Sequence, residues 1–273
     1  MALSDDEFKL FSHLVYNESG ILIREEKKEY LQVRLQKRLQ ANQLSSFYRY
    51  YKFVTNKQEG QRELLDLVDS LTVNETSFFR NLPQFDLFSK KIIPALTMKT
   101  EKKLRFWSAG CSRGQEPYSI AMSVLSQLDA ANEWDIKVLA SDISLRVLDS
   151  AQKGTYTEQE MECVLPEYRT AYFDKIDGSY HVKPLVRKLV VFDYHNLKHD
   201  SALTGMDAIF CRNVMIYFDL EGQKRLVEKF TRSLAVGGFL FLGHAESLQG
   251  LSNKFKYIFQ DKGTVYQKIE DNV

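Results

Sequence analysis

Two acidic residues, Glu116 and Asp142, stand at positions from which a protein can hold the polar groups of a nucleoside. Asp142 closely follows the apolar run 136–140, which is typical of a buried strand. Glu116 follows a turn of small residues, 110–114, where one apolar run stops and a helical pattern begins. A carboxylate at the end of a strand beside a glycine turn can bind ribose hydroxyls, and a second carboxylate can accept an amino group of the same ligand. The residues therefore predict a site for a ribose-bearing cofactor.

The glycine turn itself can be interpreted in two ways. Gly110 and Gly114 let the backbone approach a ligand, and the helix that follows points its positive N-terminal end at the same place. Their Gly-x-x-x-Gly spacing differs from the Gly-x-Gly-x-x-Gly of dinucleotide sites, so a purely structural turn remains an alternative. Glu116, in turn, could provide no more than a favourable negative charge at a helix N-terminus.

Two further groups of polar residues favour the binding interpretation. One lies in the segment 70–80 beside an apolar pair, and the other follows a predicted strand at 207–211. Ligands bind at the carboxyl edge of a parallel sheet, which is where the second group would lie. The two groups are Asn74, Thr76 and Arg80, and Asn213 and Tyr217.

The elements that must position these residues alternate between strands and helices after residue 103. This alternation predicts an α/β fold with a parallel sheet covered by helices on both faces. An Asp-Gly dipeptide at Asp177 predicts an inserted β hairpin, and a final antiparallel pair would turn at Lys262 and Gly263. Residues 5 to about 70 have helical spacing throughout, and Pro83 and Pro94 bracket a further short helix. The predicted strands of the sheet are 104–107, 136–140, 189–192, 207–211 and 239–243.

Composition narrows the class of protein. The chain has 273 residues, 44% of them hydrophobic and 27% charged, which is typical of a globular protein. Its net charge of +1 argues against a nucleic-acid binder. No apolar run approaches the roughly 18 residues of a membrane helix, and the acidic start is unlike a signal peptide, so a cytoplasmic protein without membrane insertion is expected. Three scattered cysteines without a CxxC pair favour neither a disulfide framework nor a metal site.

Taken together, the motifs resemble the chemotaxis-receptor methyltransferases, the CheR family. The similarity rests on NETSFFR at 74–80, AGCSRGQEPY at 109–118, ASDI at 140–143 and FCRNVMIYF at 210–218. It implies a Rossmann-like class I methyltransferase domain at 73–273, with an inserted β subdomain at about 168–190, after an all-helical domain at 1–72. It also implies an enzyme that transfers a methyl group from S-adenosylmethionine to glutamate side chains of chemoreceptors and releases S-adenosylhomocysteine.

The resemblance assigns roles to individual residues. Arg80 and Tyr217 would be the catalytic side chains nearest the reacting methyl group. Gln115 departs from the family, in which many members have a glutamate there. The implied cofactor contacts are Asn74, Thr76, Arg80, Glu116 before the proline, Asp142 at the ribose, Asn196 and Leu197 at the adenine, and Asn213 and Val214 at the methionine portion.

A cluster of basic residues marks the helical region. Between residues 24 and 62 there are ten lysines and arginines against four acidic residues, an excess of six positive charges. At 100° per residue, Lys27, Arg34 and Arg38 fall on one helix face, with Lys37 at its edge. Such a face usually has no role beyond contact with solvent. With the resemblance, it suggests a surface that binds the glutamate-rich helical bundle of a receptor. The protein itself is expected to be a monomer.

The expected reaction needs no strong base. A glutamate carboxylate, with a reference pKa of about 4.3, is ionised at pH 7 and can attack a sulfonium methyl group directly. One alternative is a non-catalytic S-adenosylmethionine-binding regulatory module, against which Arg80 and Tyr217 argue. Another is a nucleic-acid or small-molecule methyltransferase, but Arg212-Asn-Val-Met replaces the Asn/Asp-Pro-Pro-aromatic motif of enzymes that methylate base amino groups.

Overall fold

A computed structural model describes residues 2–269 of the chain. Helices α1 to α11 span Asp5–Ser19, Lys28–Ala41, Phe47–Val54, Gln61–Leu71, Leu82–Leu87, Ile93–Leu96, Gln115–Gln127, Leu145–Lys153, Pro166–Tyr172, Pro184–Arg187 and Leu220–Ser233. Strands β1 to β10 span Lys103–Ala109, Asp135–Asp142, Thr155–Tyr156, Phe173–Ile176, Ser179–Val182, Val190–Tyr194, Met206–Cys211, Leu234–Leu242, Phe255–Gln260 and Gly263–Lys268. Within these residues, no helix combines the length and apolar character needed to cross a membrane.

The first four helices pack around a core of their own. Helix α1 begins with a capping box, in which the side chains of Ser4 and Glu7 accept each other's backbone N–H groups. It ends at Gly20, whose φ of 78° lies in the left-handed region that glycine adopts without strain. The apolar stripes of α1 to α4 meet in a buried cluster that includes Phe11, Val15, Leu31, Leu35, Phe47, Tyr50 and Leu67.

The remaining chain forms a seven-stranded sheet with the strand order β6-β2-β1-β7-β8-β10-β9. The first five strands in this order, from β6 to β8, are parallel to one another. Strand β10 pairs antiparallel with β8, and β9 pairs antiparallel with β10. Side chains alternate across the sheet, so Phe106 joins the core under α7 while Trp107 joins the core under α11. The predicted α/β fold is confirmed, and the carboxyl ends of β1, β2, β6 and β7 lie side by side.

Two details of the fold differ from the sequence prediction. The last hairpin turns at Asp261 and Lys262, both with positive φ, and Gly263 is the first residue of β10. Gly263 is needed for space, because a Cβ there would lie 2.6 Å from the backbone oxygen of Pro83. The predicted short helix between the two prolines is a continuous helical segment from α5 to α6, joined by a π turn at Phe88–Ile92.

A small second sheet has the order β3-β5-β4. The strands β4 and β5 form the predicted hairpin, whose turn residues Asp177 and Gly178 both have positive φ, as a tight hairpin turn requires. Thr155–Tyr156 adds a third strand from a segment before the expected insert.

Candidate cofactor-binding and catalytic site

One cavity of about 240 Å³ lies at the carboxyl edge of the parallel strands. Its wall combines loops of the sheet with Ser19, the last residue of helix α1, and with Ile21, which lies just beyond that helix. The structure brings all the cofactor and catalytic residues named from the sequence to this wall: Asn74, Thr76, Arg80, Glu116, Asp142, Asn196, Leu197, Asn213, Val214 and Tyr217.

The glycine turn closes one side of the cavity. The backbone N–H groups of Gly110 and Cys111 donate to the Ser141 carbonyl oxygen at 2.8 and 2.9 Å, which ties the turn to the end of β2. Gly110 has a φ of 90°, and a Cβ there would lie 2.5 Å from a methyl carbon of Val214. Glycine is therefore required both by the backbone conformation and by the close approach of the opposite wall.

Asp142 is buried at the end of β2 and fixes the same turn. Its two carboxylate oxygens accept the backbone N–H groups of Ser112 and Ser144, each at 2.9 Å. Burial raises the pKa of Asp142, while these N–H groups favour its ionised form. The carboxylate thus holds the turn in place and also lines the cavity.

Glu116 lies at the start of α7, but its carboxylate is directed at the sheet. One oxygen accepts the Ser108 hydroxyl at 2.7 Å, and the other lies 3.4 Å from a guanidinium nitrogen of Arg212. Burial raises the pKa of Glu116, and the positive charge of Arg212 acts in the opposite direction. The neighbouring Gln115 is buried outside the cavity wall, 3.5 Å from Glu160.

The segment before α5 is held against the turn. The Ser112 hydroxyl donates to the Asn74 carbonyl oxygen at 2.8 Å, and the Phe79 N–H donates to the Ser119 hydroxyl at 3.0 Å. The side chain of Arg80 is exposed at the cavity, with a 3.1 Å hydrogen bond to the Glu75 carbonyl oxygen. A free guanidinium edge at this place can orient a carboxylate.

The loop after β6 connects the cavity to helix α1. Asn196 uses its side chain within the protein, because its amide donates to the Glu18 carbonyl oxygen at 2.6 Å and its oxygen accepts the Lys198 N–H at 2.9 Å. Lys229, buried on α11, donates to the carbonyl oxygens of Leu197 and His199. The side chain of Asn196 therefore orders this wall, and it also lines the cavity, so the adenine contact implied by the resemblance stays a prediction.

The loop after β7 is held by Glu246, which sequence reasoning missed. Its carboxylate accepts backbone N–H groups of Gly243 at 2.6 Å and of Asn213 and Val214 at 2.9 Å. The only signal for Glu246 in the sequence was an acidic residue shortly after a predicted strand.

Tyr217 is half-buried at the cavity wall. Burial raises the pKa of its hydroxyl, so it is protonated at neutral pH.

The basic face of α2 differs from the sequence prediction at Arg38. Its guanidinium lies 2.5 Å from Glu63 and 3.2 Å from Asp66, and Tyr50 also donates to Glu63. Hydrogen bonding to Glu63 raises the pKa of Arg38, although burial opposes this. Arg38 thus joins α2 to α4, whereas Lys27, Arg34 and Lys37 remain outside this network. Lys27 and Lys37 are exposed, and Arg34 lies over the Tyr30 ring at 5.1 Å.

The cavity fits a nucleoside cofactor that carries a cationic amino acid portion. The buried carboxylate of Asp142 and the partly buried carboxylate of Glu116 supply acceptors for hydroxyl and ammonium groups, and the turn at Gly110 leaves backbone space beside them. Hydrophobic side chains of Ile21, Leu197 and Val214 contribute apolar wall between the polar groups. This mixture is typical of a small-molecule site.

The chain matches two family models and several curated relatives over most of its length. Residues 74–264 match the family model for the CheR methyltransferase SAM-binding domain, and residues 6–72 match that for the CheR methyltransferase all-alpha domain. The chain is 36% identical to the chemotaxis protein methyltransferase of Borreliella burgdorferi, over 92% of this chain and 91% of the relative. It is 35% identical to that of Escherichia coli K12, over 99% and 93%. The solved N-methyltransferase NodS from Bradyrhizobium japonicum, in complex with S-adenosylhomocysteine, is 11% identical with a TM-score of 0.42, over 82% of this chain and 98% of that one.

Proposed function

The chain belongs to the CheR methyltransferase family, and we propose that it transfers the methyl group of S-adenosylmethionine to glutamate carboxylates of a chemoreceptor. It is an S-adenosylmethionine-dependent methyltransferase. The observation that carries the proposal is one cavity in which the carboxylates of Asp142 and Glu116 lie on the same wall as Arg80 and Tyr217.

Different residues of this wall would hold different parts of the cofactor. Asp142 suits the ribose hydroxyls, since its carboxylate is buried and already ordered by two backbone N–H groups. Glu116 suits the amino group of the methionine portion, where a carboxylate forms a charge-assisted hydrogen bond. Asn74, Thr76, Asn196, Leu197, Asn213 and Val214 complete the proposed contacts.

The chemistry assigns simple tasks to the protein. Bound S-adenosylmethionine supplies a methyl group activated by its sulfonium charge. The substrate carboxylate is ionised at neutral pH, so the protein must align it and remove its water rather than deprotonate it. Arg80 can align the carboxylate through paired N–H groups, and the protonated Tyr217 can donate one hydrogen bond beside it. We assign these two side chains as the catalytic pair.

The proposed partner is the acidic helical bundle in the cytoplasmic part of a receptor. The helical region carries an excess of six positive charges between residues 24 and 62, and the exposed Lys27 and Lys37 with Arg34 form the proposed contact face. In this proposal a cytoplasmic monomer presents residues 1–72 to the receptor and residues 73–273 to the cofactor, with the β subdomain inserted at about 168–190. A non-catalytic binding module is disfavoured, since Arg80 and Tyr217 would have no task in it.

Methyl transfer from tritium-labelled S-adenosylmethionine to receptor-containing membranes tests this function. The expected product is a glutamate methyl ester, which releases labelled methanol in mild alkali. Label that survives alkali on the receptor, as N-methyl groups do, would contradict the proposal. So would an absence of transfer by a folded protein that binds S-adenosylhomocysteine.

A further inference from the structure

Arg212 is a buried cation at the end of β7, next to the loop that lines the cavity. Its side chain is only 2% exposed, and its guanidinium lies between two separate parts of the site. We propose that Arg212 is a positioning residue that fixes the carboxylate of Glu116 and the main chain of Arg80 relative to each other. The inference rests on the proposed function in assigning Arg80 to the reaction.

Arg212 contacts Glu116 through one end of its guanidinium. One guanidinium nitrogen of Arg212 lies 3.4 Å from the carboxylate of Glu116, whose other oxygen is occupied by the Ser108 hydroxyl. The charged groups that act on Glu116 are Arg212 and, more weakly, Arg80, which favour ionisation, and Glu246, which opposes it. Arg212 is thus the principal positive charge that favours the ionised form of this carboxylate.

Arg212 also contacts the main chain of Arg80. The other terminal nitrogen of Arg212 donates to the backbone carbonyl oxygen of Arg80. The guanidinium also lies over the Phe85 ring, with its carbon 5.5 Å from the ring centroid, so it is in cation–π contact with α5. One rigid fork therefore reaches both the cofactor-side carboxylate and the segment that carries Arg80.

The remaining donor of Arg212 indicates that this placement is not optimal for stability. The Nε atom is buried without a hydrogen-bond partner among residues 2–269. A buried donor without a partner costs stability, and burial of the guanidinium lowers its pKa as well. An arginine that served only the fold would more readily satisfy this donor, so the geometry favours a role in the site.

Two variants at Arg212 test these contacts. Arg212→Met removes the charge beside Glu116 and the bond to Arg80, whereas Arg212→Lys keeps a charge but cannot form both contacts. Arg225→Met, an exposed arginine on α11, is the matched control. Calorimetric titration with S-adenosylhomocysteine from pH 6 to pH 8, and hydrogen exchange of residues 75–82 without ligand, provide readouts that do not depend on turnover.

For Arg212→Met we expect cofactor-product affinity that falls with decreasing pH, because Glu116 takes up a proton. One proton can give at most about a tenfold change per pH unit, so a loss of about tenfold from pH 8 to pH 6, beyond any change in the wild type, would support the proposal. Both variants should exchange faster at residues 75–82, and Arg212→Lys should lose more in kcat than in affinity. Arg225→Met should match the wild type.

An unchanged pH profile in folded Arg212→Met, or unchanged exchange at residues 75–82 in both variants, would overturn the proposal. If Arg212→Met does not fold, the exchange and the kcat loss of Arg212→Lys decide the question. If the wild type transfers no methyl group while the affinity and exchange results hold, the proposed function fails but the positioning role stands.

Discussion

Glu246 Oε2 accepts the backbone N–H of Asn213 at 2.9 Å, although 33 residues separate them in the sequence. Asn213 has a φ of 60°, a left-handed backbone conformation that residues other than glycine seldom adopt. The same carboxylate accepts the N–H groups of Gly243 and Val214, so one side chain holds several strained or closely packed backbone groups of the cavity loop. The loop after β7 is ordered by a residue that does not itself line the cavity.

Replacing Glu246 with glutamine should therefore loosen the loop. The amide has one acceptor oxygen and adds a donor that faces backbone N–H groups, so we expect a loss of about 1.5–3 kcal/mol in the free energy of unfolding. Affinity for S-adenosylhomocysteine should fall with it. Chemical denaturation and calorimetry measure both, and the exposed Glu162→Gln is the control. Equal stability and affinity in Glu246→Gln and wild type would show that the carboxylate is dispensable.

Lys229 should make stability depend on alkaline pH. Burial lowers its pKa to about 8 from an ordinary 10.5. Between those values the unfolded chain keeps a proton that the folded protein has released, so stability rises with pH there, by up to about 3 kcal/mol. The neutral amine still has two N–H groups for the carbonyl oxygens of Leu197 and His199.

Urea denaturation from pH 7 to pH 10 tests this dependence. The difference in stability between wild type and Lys229→Met should grow in favour of the wild type as the pH rises. The variant Lys224→Met, on the same helix but with a partly exposed side chain, should show the pH dependence of stability of the wild type. A constant difference for Lys229→Met across the range would mean that the buried amine does not titrate there.

Asp142→Asn tests the proposed ribose contact. The variant keeps an acceptor for one of the two backbone N–H groups but loses the negative charge, so S-adenosylhomocysteine should bind about 10–100-fold more weakly, or about 1.5–3 kcal/mol. Asp149→Asn, which changes an exposed ion pair with Lys153 on α8, should leave affinity unchanged. A folded Asp142→Asn protein with wild-type affinity would refute this assignment.

Some residues of the site can be predicted from the sequence, whereas others cannot. Residues such as Glu116 and Asp142 lie at strand ends or helix starts that hydrophobic patterns reveal, and parallel strands gather such positions at one edge. Glu246 could not be placed in this way, because only the pairing of Cys211 with Leu242 between β7 and β8 brings it beside Asn213. Its role depends on strand register, which local sequence patterns do not determine.

Arg38 shows a second limit. Helical periodicity correctly places it near Arg34 on α2, but periodicity does not state which helix packs alongside. The approach of α4 brings Glu63 to Arg38, and the pair then becomes part of the packing between helices. The last hairpin is a similar case, because its turn lies at Asp261 and Lys262, one residue before the predicted position. The close approach of Gly263 to Pro83 is a tertiary contact, which local sequence patterns do not reveal.

Arg80→Ala should separate catalysis from cofactor binding. Among residues 2–269 the side chain has one hydrogen bond, to the Glu75 carbonyl oxygen, so we expect its loss to leave the fold intact. We expect kcat to fall by about 100-fold or more, as for other oriented donors at a reacting group, while S-adenosylhomocysteine affinity changes by less than about tenfold. Arg80→Lys keeps the charge without the paired N–H groups and should recover only part of kcat. Equal losses in kcat and affinity would make Arg80 a binding residue alone.

Charge reversal on α2 should affect receptor binding at some positions and protein stability at another. Lys37 is exposed and Arg34 lies over the Tyr30 ring, so Arg34→Glu with Lys37→Glu should raise the KM for receptor and leave stability and cofactor affinity nearly unchanged. Arg38→Glu would place a third carboxylate beside Glu63 and Asp66, and should lower the free energy of unfolding by about 3 kcal/mol or more.

Receptor kinetics at low and high salt, together with denaturation of each variant, distinguish the two effects. Added salt should raise the wild-type KM toward that of the Arg34→Glu, Lys37→Glu variant, because exposed charges are screened within about 10 Å at 0.1 M ionic strength. It should not rescue Arg38→Glu, whose defect lies in a partly buried network with Tyr50 and Glu63. If receptor KM is insensitive both to salt and to reversal at Arg34 and Lys37, the basic face is solvated only, and receptor recognition must use another surface of the helical region.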